Sequence, residues 1–252
     1  MLVAAVDTST LTLSCALVEL SSSGASLVAE RTEHAPARPP PGGPAGGHGV
    51  KLPGALHDLL VAADLKLPEI EGYAVGLGPG SFTGLRIGLA TWKGLAYANR
   101  RPIAGASSLA AMAAHAAEQA PAGTLLVPLL DARKGEVYAG FYRAAGGRVE
   151  AARPEAALSP TALKDLLAGL GAAAGFGEGY QAFRVELAPA LPPLPGGPPT
   201  PPGFWVGALA APRLLGAAFD QKALSALEPH YVRPSEAEVK FPHGLAPGAG
   251  KA

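Results

Sequence analysis

The sequence predicts an α/β fold in two lobes, and three observations carry that expectation. Apolar runs of strand length occur early and again near the middle, at residues 2–6, 11–20, 125–130 and 136–143. Between and after them lie segments with apolar residues at helical spacing. The two halves repeat one order of hairpin, strand and helix, as an internal duplication would. A chain of 252 residues, 48% apolar, is long enough to bury such a core.

The elements are justified in order. Leu2–Val6 and Leu11–Leu20 read as a hairpin around Asp7–Thr10, with a third strand over Ser26–Arg31. Residues 35–50 read APARPPPGGPAGGHGV, a Pro/Gly-rich loop. Leu52, Leu56, Leu59, Leu60, Ala63 and Leu67 then mark an amphipathic helix. A strand over Tyr73–Leu77 runs into a Gly-Pro-Gly turn and a helix from about Thr83 to Asn99. Arg101–Gly105 reads as the passage to the second lobe, and Ser108–Glu118 as its first helix. Strands 125–130 and 136–143 flank a turn at Asp131–Gly135, and residues 189–203 form a second Pro/Gly-rich loop. A helix over Phe204–Phe219 closes the fold, kinked or split at Pro212. The expected division is 1–104 for the first lobe, 105–203 for the second, and 204–252 for a helix and tail packing back on the first.

The stretch from Gly76 to Ala90, GLGPGSFTGLRIGLA, is the most informative segment. A strand, a Gly-rich turn and a helix N-terminus can cradle an anion, because freed N–H groups and the helix dipole point the same way. Yet no Lys-Ser or Lys-Thr pair closes the loop, and the dinucleotide spacing fails at Thr83. Asp7, Thr8, Ser9, Gly78, Pro79, Gly80, Ser81, Phe82 and Thr83 therefore read as a degenerate phosphate loop, or as a tight turn that needs its glycines. Gly84, Gly88, Thr91, Gly94 and Ala98 form a stripe of small residues along the following helix. Glycine inside a helix costs about 1 kcal/mol against Ala, so close packing must offset it, on this chain's own elements or on another helix.

Other classes of chemistry find little support. One cysteine, Cys15, excludes an intrachain disulfide and reads as a small buried hydrophobe. Six histidines show no pair four residues apart and no cysteine close to any of them, so no histidine metal site is expected. Asp7 has the alternatives of binding a metal or capping its own Thr-Ser turn. No G-x-S-x-G elbow is present. Twenty basic and twenty acidic residues leave no overall basic footprint for nucleic acid. No signal-peptide pattern opens the chain and no apolar run reaches membrane-spanning length. Between Gly72 and Ala117 there is no acidic residue, while Arg86, Lys93, Arg100 and Arg101 lie there, as a solvated face or one meeting an acidic partner or phosphate.

Four segments in order resemble the bacterial TsaB family of tRNA threonylcarbamoyladenosine biosynthesis proteins. They are Ala4–Thr10, the Gly76–Gly88 signature, Leu130–Tyr138 with its Asp-Ala-Arg and Glu-Val-Tyr, and Pro229–Arg233. The resemblance implies the duplicated α/β fold shared by actin, Hsp70 and sugar kinases. It implies a non-catalytic scaffold and dimerisation subunit for threonylcarbamoylation of adenosine 37 in tRNAs reading ANN codons. Catalysis would belong to a TsaD-like subunit, joined by a TsaE-like ATPase, with tRNA reached through the complex and a homodimer formed in isolation. Against the metal-binding histidines of TsaD, the matching positions here are Ser108 and Met112. No metal and no cofactor is implied beyond weak nucleotide binding at the partner interface, and the cytoplasm is the implied location. The implied interface comprises Leu52, Leu56, Leu59 and Leu60 of the first long helix. From the signature helix it takes Gly84, Arg86, Gly88, Thr91, Trp92, Leu95 and Ala98. The chain departs from the family in the 35–50 insertion, where His48 is the counterpart of an R-x-H segment, in the 189–203 loop, and after Arg233. An enzyme of the same fold, a small-molecule kinase or a peptidase, and a stand-alone homodimer remain the alternative readings.

Overall fold

The computed structural model describes residues 1–34 and 47–233, so the expectations for 35–46 and for the tail after Arg233 lie outside the described residues. β1 (Leu2–Asp7), β2 (Thr12–Ser21) and β3 (Gly24–His34) make an antiparallel meander. α1 (His48–Ala62), β4 (Gly72–Gly76), α2 (Phe82–Asn99), β5 (Ile103–Ala106) and α3 (Ser108–Ala117) follow. β6 (Leu125–Arg133), β7 (Glu136–Ala144) and β8 (Val149–Leu158) repeat the meander, and α4 (Pro160–Leu167), β9 (Ala173–Phe176), α5 (Glu178–Ala182) and α6 (Arg184–Leu187) extend it. α7 (Gly203–Leu214) and α8 (Gln221–Ala226) come last.

The duplication is explicit in the sheets. The first has the order β3-β2-β1-β4-β5 and the second β8-β7-β6-β9. In each, a meander is followed by a helix and then a strand parallel to the meander's first strand, β4 beside β1 and β9 beside β6. Both faces of each sheet are covered. On β1, Ala4 and Val6 face α1 and α2, whereas Val3 and Ala5 face α7. On β6, Leu125, Val127 and Leu129 face the α4–α6 side, whereas Leu126 and Leu130 face α3. α3 and α7 pack on one another, joining the two three-layer lobes.

Several boundaries differ from the sequence expectations for local physical reasons. α1 begins at His48, so the last part of the expected 35–50 loop is helical. It ends at Ala62 rather than Leu67, because Asp64 turns left-handed (φ 53°) and Leu65 N–H closes back on the Leu60 carbonyl at 2.9 Å. The expected passage over 101–105 contains β5, the fifth strand of the first sheet, so a division after residue 104 would fall inside a strand. α7 carries Pro212 in its last turn and stops at Leu214, short of Phe219, with Gly216 left-handed just beyond (φ 77°). Its N-terminus lacks a side-chain cap of its own. Ser14 Oγ accepts from Gly203 N–H at 2.8 Å and Glu30 from Phe204 N–H at 3.2 Å, so β2 and β3 supply the cap.

Trp92 anchors α2 to the sheet. Its side chain is fully buried, its indole N–H donates to the Ala4 carbonyl at 2.8 Å, and it meets Tyr73 edge-to-face. Trp92→Ala is expected to cost about 3–5 kcal/mol in urea unfolding, and Trp92→Phe less, since the ring survives and the indole donor is lost.

Candidate functional site

The degenerate phosphate loop folds into a socket, and the chain's own β1–β2 turn fills it. Asp7 starts that turn as a cap: its Oδ1 accepts from Ser9 N–H at 2.8 Å and Ser9 Oγ at 2.6 Å. Thr8 and Ser9 then lie against the β4–α2 turn. Ser81 N–H donates to the Ser9 carbonyl at 2.6 Å, and Thr8 Oγ1 donates to the Gly84 carbonyl at 2.8 Å. A Cβ on Gly80 would stand 2.3 Å from Ser9 O, one on Gly84 2.1 Å from Thr8 O, and one on Gly88 2.3 Å from Thr8 Oγ1. The glycine spacing thus lets backbone approach backbone. Ser81 caps α2 by accepting from Gly84 N–H at 3.2 Å, while Phe82 and Thr83 face outward.

Asp7 ties this socket to the second lobe. Its Oδ2 accepts from Ser108 Oγ at 2.5 Å, and Ser108 exchanges backbone and side-chain bonds with Gly78. Burial pushes the Asp7 carboxyl above its ordinary range, against the pull of its hydroxyl and N–H donors and of His48. His48 Nε2 meets the Thr10 carbonyl at 2.7 Å, fastening the start of α1 to the same turn. Ser108 and Met112 are fully buried, and among the described residues no three His, Cys, Asp or Glu side chains group as metal ligands. Cys15 is buried, and burial and Glu30 push its thiol up to about 12, away from the thiolate form.

A cleft of about 510 Å³ opens between the lobes, lined on one side by Ser9, Ser81 and Phe82 and on the other by Asp131, Arg133 and Glu178. The β6–β7 turn holds Arg133, Lys134 and Gly135 in left-handed backbone (φ 62°, 54° and 80°), after a register shift at Asp131–Arg133. Asp131 Oδ1 accepts from Arg133 N–H at 2.7 Å and Oδ2 pairs with its guanidinium at 3.1 Å. Burial and the neighbouring Asp131 charge push the Glu178 carboxyl up, against Arg133.

The interface residues expected from the sequence fall into two groups, and the first is a correction. Leu52, Leu56, Leu59, Leu60 and Trp92 are buried in the first lobe's own core, and Gly84 and Gly88 face Thr8. The apolar side of each helix packs on the first sheet and is not available to a partner. Leu95 is half-buried against the same core, and half-buried Thr91 donates to the Ile87 carbonyl at 2.8 Å. Arg86 and Ala98 are exposed, in the company of Ala90, Gly94 and Tyr97 on α2 and Val61 on α1. The four cations read as a solvated or partner-facing group have intrachain partners. Arg86 covers the Phe82 ring and bonds Tyr231, Lys93 donates to the Ser225 carbonyl, Arg100 covers Phe219, and Arg101 reaches the Pro68 carbonyl.

A family model described as TsaD, tRNA N6-adenosine threonylcarbamoyltransferase, matches residues 41–184. Curated relatives include the tRNA threonylcarbamoyladenosine biosynthesis protein TsaB of Bacillus subtilis, 37% identical over 43% of this chain and 46% of that protein. TsaB of Escherichia coli is 36% identical over 51% of this chain and 56% of that protein. The chain belongs to this family and stands with its TsaB members. It spans about half the length of the curated relatives it matches. Among solved structures, YeaZ from Pseudomonas aeruginosa is 28% identical over 91% of this chain and 99% of that one, with a TM-score of 0.68. A second Pseudomonas aeruginosa structure, described as similar to peptidase YEAZ, gives 29% identity, 92% and 99% coverage and a TM-score of 0.70. The architecture is the duplicated two-lobed α/β fold that the resemblance implied.

Sequence reasoning missed Glu155, Tyr142 and Glu178. Glu155 sits on an unrecognised strand, and its Oε1 accepts from both Ser107 and Tyr142 hydroxyls. No spacing signal marks it, because its partners lie 48 and 13 residues away. Tyr142 is pushed far up by burial and that carboxylate.

Two outcomes follow from the socket. Gly84→Ala and Gly88→Ala are expected to destabilise the fold by about 1–3 kcal/mol through overpacking on Thr8. Gly94→Ala, which has open space around its Cβ, should stabilise by up to about 1 kcal/mol; thermal unfolding of the three variants separates them. Because Asp7 is raised in the folded state, its contribution is present in acid and lost as pH rises through its folded-state pKa. A pH series of urea unfolding should show this slope flattened in Asp7→Asn.

Proposed function

We propose that this chain is the accessory, non-catalytic subunit of a complex that forms N6-threonylcarbamoyladenosine in tRNA, supporting a TsaD-like catalytic subunit. The reading draws its pathway from the TsaB relatives and the TsaD family model. The observation that carries the non-catalytic part is the filled socket: the Ser81 N–H that would grip an anion is held by the Ser9 carbonyl at 2.6 Å. A kinase reading needs that donor free. A peptidase reading needs a histidine between hydroxyl and carboxylate. Here Glu155 stands between Ser107 and His230, so no histidine meets the Ser107 hydroxyl.

The partner surface in this reading is the outward side of α1 and α2. Val61 is 65% exposed and Tyr97 56%, and Ala90, Gly94 and Ala98 are exposed on α2 at a four-residue spacing that admits a close second helix pair. The same side would mediate self-association, in competition with the catalytic subunit. A TsaE-like ATPase joins the assembly, and the evenly balanced charge suits a subunit that meets tRNA through its partner. Such a complex works in the cytoplasm.

Whereas Gly88→Leu would collide with Thr8, Gly94→Leu changes this outward side without touching the socket. In a reaction reconstituted with the catalytic subunit and tRNA, it is expected to weaken self-association and lower threonylcarbamoyladenosine at least tenfold, about 1.4 kcal/mol or more of lost interaction. Nucleoside mass spectrometry and light scattering read the two effects. Full modification with this variant, or with the chain omitted, would remove the proposal.

A further inference from the structure

We propose that residues 230–233 are a latch that spans the interlobe cleft and sets how far it opens. The segment attaches alternately to the two lobes. His230 N–H donates to the Leu77 carbonyl of the first lobe at 2.7 Å, while its ring Nδ1 faces Glu155 Oε2 of β8, in the second, at 3.5 Å. Tyr231 returns to the first lobe, stacked on Phe82 with ring centroids 5.3 Å apart and accepting from Arg86 Nε at 3.2 Å. Arg233 crosses again, pairing with Glu136 of β7 at 2.8 Å. Tyr231 and Arg233 both line the cleft.

The two sides of the interlobe junction differ in kind. At α3 and α7 the lobes meet through buried apolar side chains, Ala111 of α3 beside Val206 and Ala210 of α7, a contact that opens only at large cost. The latch is polar and partly solvated: the Arg233 and Glu136 side chains are 32% and 37% exposed. Contacts of that kind break and re-form readily. Glu155 shows the direction of travel. Its Oε1 is doubly satisfied, whereas its buried Oε2 has no hydrogen-bond partner. A separation of 3.5 Å is too long for a good bond to a ring nitrogen, and inward movement of the strap by a fraction of an ångström would complete it. The described state is thus a nearly closed latch. Closure by small loop segments over a packed hinge is a common mode of interlobe motion.

The test is an intrachain distance between lobes. Leu27 on β3 and Val185 on α6 are 50% and 92% exposed, and Cys15 is fully buried, so spin labels would attach at Leu27→Cys and Val185→Cys alone. The labelled chain, diluted with unlabelled chain, is measured by pulsed electron resonance. The parent should give one narrow distribution, and Tyr231→Ala/Arg233→Ala a broader one lengthened by several ångströms. Arg233→Ala alone, at a partly solvated pair, keeps the test open if the double variant loses its circular dichroism. Arg233→Glu should broaden the distribution and Glu136→Arg/Arg233→Glu should restore it. An unchanged distribution in Arg233→Ala, or failure of the charge swap to restore the narrow one, would overturn the latch.

Discussion

The insertion of Thr8 and Ser9 into the start of α2 is the contact on which the rest of the molecule depends. It joins the first hairpin to the signature turn through Ser81 N–H and Gly84, and it presents Asp7 to Ser108, where the second lobe begins. Gly80, Gly84 and Gly88 lie where any side chain would collide with the inserted turn. Three glycines in or beside one helix carry a conformational cost of about 1 kcal/mol each against Ala. Buried hydrogen bonds and the Trp92 anchor offset it, so a loop with the outline of an anion site is held shut from within.

This contact also divides the two faces of α2. The face with Gly84, Gly88, Leu89 and Trp92 belongs to the interior of the first lobe, and the face with Ala90, Gly94 and Ala98 is left to solvent. A stripe of small residues therefore has two origins on one helix. Gly84 and Gly88 answer a clash inside the chain, whereas Gly94 answers none, which is why the outward stripe is the better candidate for a neighbouring helix. The basic side chains of α2 hold the C-terminal segments, so charge placement on this helix reflects tertiary fastening and is a weak guide to a ligand.

Much of this was legible in the sequence. Continuous apolar runs marked the strands β1, β2, β4, β6 and β7, which are largely buried on both faces, and helical spacing marked α1 and α2. Asp7 capping its own turn was also legible, since Asp followed by Thr and Ser is a local device. What was not legible depended on distance. β8 reads VEAARPEAAL, with a proline and mostly Ala, Glu and Arg, and it is an edge strand with little apolar signal. The direction of the small stripe could not be read from spacing, because one turn of helix offers the same periodicity to either side. Glu155 and Glu178 acquire their surroundings from residues distant in sequence, Ser107 and Tyr142 for the one and Asp131 and Arg133 for the other.

The central claim is that the signature loop is occupied by its own chain and does not serve as a phosphate cradle. The most direct measurement is an amide nuclear-resonance titration of the isotope-labelled chain with inorganic phosphate and then ATP. The account predicts that the Ser81 and Gly84 amides exchange slowly with solvent and keep their positions throughout, because the Ser9 carbonyl and Ser81 Oγ already hold them. A saturable shift of the Ser81–Gly84 amides, with release of Thr8 and Ser9, would contradict it.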